Sequence, residues 1–329
     1  MRYEIYVPRV LVDVHAHYLT DRYVRAARAA GVDHPDGMPA WPSWSVESHL
    51  ELMDRHDIAR AVLSISSPGV HFGDDAAARG LASHVNDHAA EVSRERPDRF
   101  GFFGALPLPD VIGAVQEAER VLDDLGADGV GLLSNHCGSY LSDPSLEPLW
   151  EVLDARAAVV HVHPTSPVGW EHLPPRPRPM LEFPFETTRT FVELLLAGVT
   201  SRHPRIRFIA SHCGGALPLL VERVERFLGA FAAGPTPAVR APMSRLWFDS
   251  AGTPFPEPLP ALAGVVGEDR IVYGSDYCFT PPAAVAGALG SIAAAAPPRS
   301  APSWTELMTR NAHTLFAPDS DSATVASPV

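Results

Sequence analysis

The feature that most restricts the fold is a rhythm of eight short apolar runs, rich in β-branched residues and separated by helical stretches. The runs cover residues 10–17, 60–65, 100–106, 129–133, 158–163, 206–211, 246–249 and 271–273. Brief apolar runs bounded by turn signals read as strands buried on both faces, which is the mark of a parallel sheet. The stretches between them, among them 74–96, 111–125, 146–156 and 217–231, supply the helices that parallel crossovers need. Spread over 329 residues, this alternation predicts an α/β protein of the (β/α)8 TIM-barrel type. An open doubly wound sheet is the alternative, but no Gly-x-Gly-x-x-Gly turn follows the first strand. The polar, Trp- and Pro-bearing segment 33–43 predicts a long loop insertion after strand 1. One domain is expected over residues 1–316, with a small, polar and disordered tail at 317–329.

Composition narrows the chemistry. A formal net charge of −13 argues against nucleic acid and anionic membrane as partners. No run of eighteen apolar residues is present, so no membrane span is expected. Met1 to Glu4 lead straight into the first strand rather than into a signal peptide. Cys137, Cys213 and Cys278 are an odd, widely spaced set and form no disulfide framework. A cytoplasmic protein is the expectation. All 26 basic residues are arginine. Without lysine there is no Schiff base, no pyridoxal-phosphate anchor, no phosphate-loop lysine and no carbamylated lysine bridging two metals.

A barrel collects its chemistry at the C-terminal ends of its strands. Those ends carry His15 and His17, then Ser64 and Ser66, then Asn135 and His136, then His163, His212 and Asp276. Alternate residues on a strand share a face, so His15 and His17 project together, and paired imidazoles suit zinc and its neighbours. An isolated His-x-His is as readily two polar residues at a strand end. Four histidines and an aspartate converging on one rim are another matter. His161 shares a face with His163 one layer deeper and is expected to be a hydrogen-bonded core residue.

The runs Val12-Asp13-Val14-His15-Ala16-His17, His163-Pro164, Ser211-His212-Cys213-Gly214-Gly215 and Tyr273-Gly274-Ser275-Asp276 resemble the amidohydrolase superfamily. The branch they resemble holds aminocarboxymuconate-semialdehyde decarboxylase and related non-oxidative decarboxylases, over about residues 8–316. Leu63 to Gly69, Asp98 to Phe102 and Met180 to Phe183 look most like 6-methylsalicylate decarboxylases. The resemblance implies His15, His17, His163 and Asp276 as ligands of one divalent metal per chain, zinc favoured and manganese admissible, with no organic cofactor. It implies His212 as the neighbouring acid–base or substrate-orienting group and Asp276 as the favoured proton donor. A homodimer or larger assembly also follows from it.

The implied reaction converts an ortho-hydroxybenzoate, 6-methylsalicylate or a relative, to a phenol and carbon dioxide. Where the aminocarboxymuconate enzyme carries a substrate-binding arginine, this chain runs Met38 to Trp44 without one. Trp41 and Trp44 offer flat walls for an aromatic ring, or else simply pack the loop. Ser64, Ser66, His136 and Arg189 are further candidates for substrate contact, although a structural ion pair is the more natural role for Arg189. Two other readings stay open: a metal-dependent hydrolase of a lactone, ester or amide, and a scaffold protein with a structural metal.

Overall fold

The computed structural model describes residues 11–231 and 238–318. Eight strands form one sheet, each paired in parallel with the next in chain order. They are β1 (Leu11–His17), β2 (Ile58–Ser64), β3 (Phe100–Ala105), β4 (Gly129–Leu133), β5 (Val159–His163), β6 (Arg207–Ala210), β7 (Trp247–Asp249) and β8 (Ile271–Val272). The last strand returns to the first through parallel bridges Asp13–Tyr273 and Ala16–Tyr277. Val14 N–H donates to the Tyr273 carbonyl at 2.9 Å across that seam. The result is the expected TIM barrel. No helix among the described residues is long and apolar enough to cross a membrane.

The barrel interior is plugged below the site. Val14, Val62, Phe103, Val159, Ile209, Trp247 and Val272 pack together from seven strands, and Ala312 and Leu315 of the final helix join them. Each such fully buried aliphatic or aromatic side chain contributes about 1.5–3 kcal/mol. His161 stacks on Phe103 at the top of this plug, with ring centres 5.5 Å apart.

Polar side chains cap several of the helices. Ser45 accepts from Ser48 N–H at the start of Val46–Arg55, Asp74 from Ala77 at the start of Asp75–Glu95, and Ser303 from Glu306 at the start of Trp304–Leu315. Two features differ from expectation. The insertion after β1 opens with a helix, Asp21–Ala29, capped by Thr20, which the sequence reading passed over. The sequence pattern predicts a helix from Thr187 to about Ser201, whereas the helix found there begins at Glu182 and runs to Leu196. Pro184 falls in its first turn, where no backbone N–H is needed, so the proline does not break it. The expected strand residue Val10 and the tail from residue 319 lie outside the described residues.

Candidate active site

His15 and His17, at the end of β1, bring their Nε2 atoms within 3.1 Å of each other. Each is oriented from behind through Nδ1. Asp249 Oδ2 accepts from His15 at 2.9 Å, and Ser64 accepts from His17 through its hydroxyl at 3.0 Å and its carbonyl at 3.3 Å. His163, at the end of β5, donates Nδ1–H to the Pro164 carbonyl at 2.7 Å. These partners place the proton of His17 and His163 on Nδ1 and leave an Nε2 lone pair facing the barrel mouth. Asp276 faces the same point, with Oδ1 3.0 Å from His17 Nε2 and 3.4 Å from His15 Nε2. His212 Nε2 lies 3.7 Å from Asp276 Oδ2. Single donor atoms of His15, His163, His212 and Asp276 all fall within 4.8 Å of one another.

Backbone geometry aims the last two groups. His212 and Asp276 have φ of +56° and +58°, values that non-glycine residues hold chiefly where surrounding contacts impose them, often at functional sites. His212 N–H donates to Asp249 Oδ1 at 2.9 Å, and Asp276 N–H to the His15 carbonyl at 2.7 Å. At Gly274 a Cβ would lie 2.7 Å from His15 Cβ and 3.2 Å from Asp249 Cβ. Only a residue without a side chain lets those two meet.

The electrostatics call for positive charge. Burial drives the pKa of His17 down and that of His163 well down, so both are neutral ligands in waiting. Burial alone would raise the Asp249 carboxyl, but the His15 ring beside it holds it well below the usual range. Burial likewise works against ionising Asp276, and hydrogen bonds from His15, His17 and His212 reverse it. Burial opposes charge on His15 too, yet Asp249 and Asp276 lift it to about 10. One buried carboxylate, Asp249, and one partly buried, Asp276, thus attract a cation to this spot. A proton on His15 meets that demand in part; a divalent ion among imidazole nitrogens and a carboxylate meets it fully. The donor set fits a metal.

Other residues fall into distinct places. Ser64 is buried beneath His17 rather than open to a ligand, and Ser66 is buried in a turn that its carbonyl closes to Gly69 N–H. Trp41 donates to the Val32 carbonyl and packs on Phe279 with ring centres 6.4 Å apart. Trp44 donates to His49 and packs on Tyr18 with ring centres 5.9 Å apart. The aromatic rings that reach the histidines are Phe279, 5.6 Å from His17, and Phe183, 5.7 Å from His163. Arg189 is exposed and paired with Glu186 at 3.4 Å. His136 accepts from Leu133 N–H and borders a cavity of about 460 Å³.

Sequence reasoning missed Asp249, although it too is a polar residue ending an apolar strand. It also missed Asp13, fully buried and accepting from His15 and Ser275 N–H groups, whose carboxyl burial raises to about 7. His161 sits one layer down, 3.4 Å from Asp249 and 3.1 Å from Ser211 Oγ. Asp249 is the hub of this support. Asp249→Asn is expected to weaken metal binding by about 10–100-fold with the fold retained, measured by competition with a metal indicator. Unchanged affinity would remove Asp249 from that role.

A histidine–carboxylate cluster at the C-terminal mouth of a (β/α)8 barrel defines a class of proteins built to use a divalent cation there. The chain belongs to the amidohydrolase family, whose model matches residues 12–316. It is 37% identical over 287 residues to the decarboxylase yanB of Aspergillus niger, covering 82% of this chain and 77% of that protein. It is 34% identical to the 6-methylsalicylic acid decarboxylase acuB of Aspergillus aculeatus, covering 82% and 84%. A crystal structure of an amidohydrolase II superposes with a TM-score of 0.87 at 31% identity, covering 93% of this chain and 99% of that one.

Proposed function

We propose that this protein is a metal-dependent, non-oxidative decarboxylase of an aromatic ortho-hydroxy acid, 6-methylsalicylate or a related hydroxybenzoate. The observation that carries the reading is one cation-seeking cluster, His15, His17, His163 and Asp276, walled by Phe183 and Phe279. The similarity to decarboxylases supports it. Those four residues would hold one zinc or manganese ion. Bound there, it supplies positive charge to the substrate's carboxylate and adjacent phenol oxygen, which fixes the ring and polarises it.

The chain's own groups then handle the proton. One proton must reach the ring carbon that bears the carboxylate; carbon dioxide leaves from that carbon, and aromaticity returns. Asp276 is the group placed to deliver it. Because Asp276 is held ionised, it must be recharged, and His212 Nε2 at 3.7 Å is the neighbour that can do so. Phe183 and Phe279 exclude water from the ring face. Free cysteines at 137, 213 and 278 suit a reducing cytoplasm. We place the enzyme there, as a homo-oligomer.

The test uses metal-loaded enzyme, 6-methylsalicylate and deuterated water without oxygen. The expected products are carbon dioxide and a phenol deuterated at the carbon that lost its carboxylate. If a panel of ortho-hydroxybenzoates releases no carbon dioxide while aryl esters or lactones are opened, the protein is a hydrolase.

A further inference from the structure

The end of the barrel opposite the active site gathers positive charge that the proposed reaction does not use. Arg205 and Arg207 stand just before and at the start of β6, Arg245 just before β7 and Arg270 just before β8, and all four line one cavity of about 390 Å³. Among the described residues that line it there is no aspartate or glutamate. The chain as a whole is acidic, with a net charge of −13, so this concentration of one sign stands against the trend. A concave surface of one sign with protein walls focuses its field on the space it encloses. Strand β7 separates this cavity from the metal cluster, with Trp247 at one end and Asp249 at the other.

The four arginines divide into two pairs. Arg207 is committed to the fold, donating to the Leu315, Ala317 and Ala157 carbonyls, and Arg205 donates to the Ala155 carbonyl at 3.3 Å. Their charge remains. The guanidinium groups of Arg245 and Arg270 donate no hydrogen bond and meet no carboxylate within ion-pair reach among the described residues. Arg270 lies over the Trp247 ring, 5.0 Å from its centre, which fixes its plane. Burial lowers the Arg270 pKa, Asp269 partly opposes this, and the charge of Arg245 lowers it further. The same wall holds two buried polar atoms with no hydrogen-bond partner, Thr200 Oγ1 and Trp247 Nε1. Their residues are only 7% and 3% exposed. Buried polar groups are nearly always paired, so orphans of this kind call for a water or an ion. Both can donate, as an anion requires. Two guanidinium forks match the charge and the several oxygens of a phosphate dianion better than a single carboxylate.

The geometry points to an anion site at the N-terminal end of the barrel, clasped by Arg245 and Arg270 and taking a phosphate dianion, free or as a monoester. It is tested by calorimetric titration of the full chain with inorganic phosphate and with glycerol 3-phosphate at fixed ionic strength, on metal-loaded and on metal-stripped protein. Both forms should bind one anion per chain, and the anion should raise the unfolding temperature. The tighter of the two anions distinguishes free phosphate from an ester. Arg245→Gln and Arg270→Gln should each weaken binding by about tenfold or more, the loss of a charge-assisted contact. Arg226→Gln removes the same charge from the exposed face of the helix Leu217–Phe231 and should leave binding within about twofold. No saturable binding, binding that vanishes with the metal, or equal weakening in Arg226→Gln would each overturn the proposal. So would binding seen only when Asp319→Asn and Asp321→Asn are introduced together, since the cavity would then belong to the acidic run that follows Pro318.

Discussion

His163→Ala protein will purify folded, with little metal and with activity lowered by about 10⁴-fold or more. The size follows from removing the ion's charge from the reacting oxygens, several kcal/mol at 1.4 kcal/mol per decade. His163 is the cleanest of the histidines to remove. Its Nδ1 serves only the Pro164 carbonyl, so its loss orphans one acceptor. His15→Ala would instead leave the buried Asp249 carboxylate without its closest partner. Breaking a buried charged pair from one side costs about 3–5 kcal/mol, enough to confuse loss of metal with loss of fold. Elemental analysis beside a carbon dioxide assay decides the matter. Full activity in a metal-stripped sample would end the metal-dependent reading.

His212→Ala should part the two readouts that His163→Ala moves together. His212 reaches the cluster through Asp276 Oδ2, whereas His15 and His17 approach Oδ1. If it manages the proton rather than holding the ion, the variant keeps most of its metal and loses about 10²–10⁴-fold in rate. The pH profile should lose one of its limbs as well, which a purely structural histidine would not cause. Loss of metal equal to that of His163→Ala would instead put His212 among the ligands. The 4.8 Å grouping that includes it makes that alternative concrete.

Periodicity was enough to make the barrel legible, because the strands are short, largely apolar and mostly buried on both faces. What it could not show was the depth of the insertion after β1. The helix Asp21–Ala29 is largely polar, with only Tyr23 and Ala27 buried, so its apolar stripe is too thin to stand out. The histidines were legible because strand ends and active sites coincide in this architecture. Asp249 obeyed the same rule and was passed over because β7 is only three residues long. Phe279 could not be read at all. It reaches His17 from the loop after β8, and loop positions depend on contacts such as Trp41 with Phe279 that no local pattern encodes.

The barrel closes where its first and last strands meet. Ser275 N–H donates to Asp13 at 3.0 Å, and Asp276 N–H to the His15 carbonyl. That seam has a consequence for how the molecule is made. A ribosome adding about 5–20 residues per second releases Asp276 roughly 13–50 s after His15, since 261 positions separate them. For most of that interval the nascent chain carries its first two imidazoles without Asp249, and for all of it without Asp276. If the cluster holds an ion as proposed, its capture falls among the last events of synthesis, and a chain cut short before its final strand is expected to be neither loaded nor active.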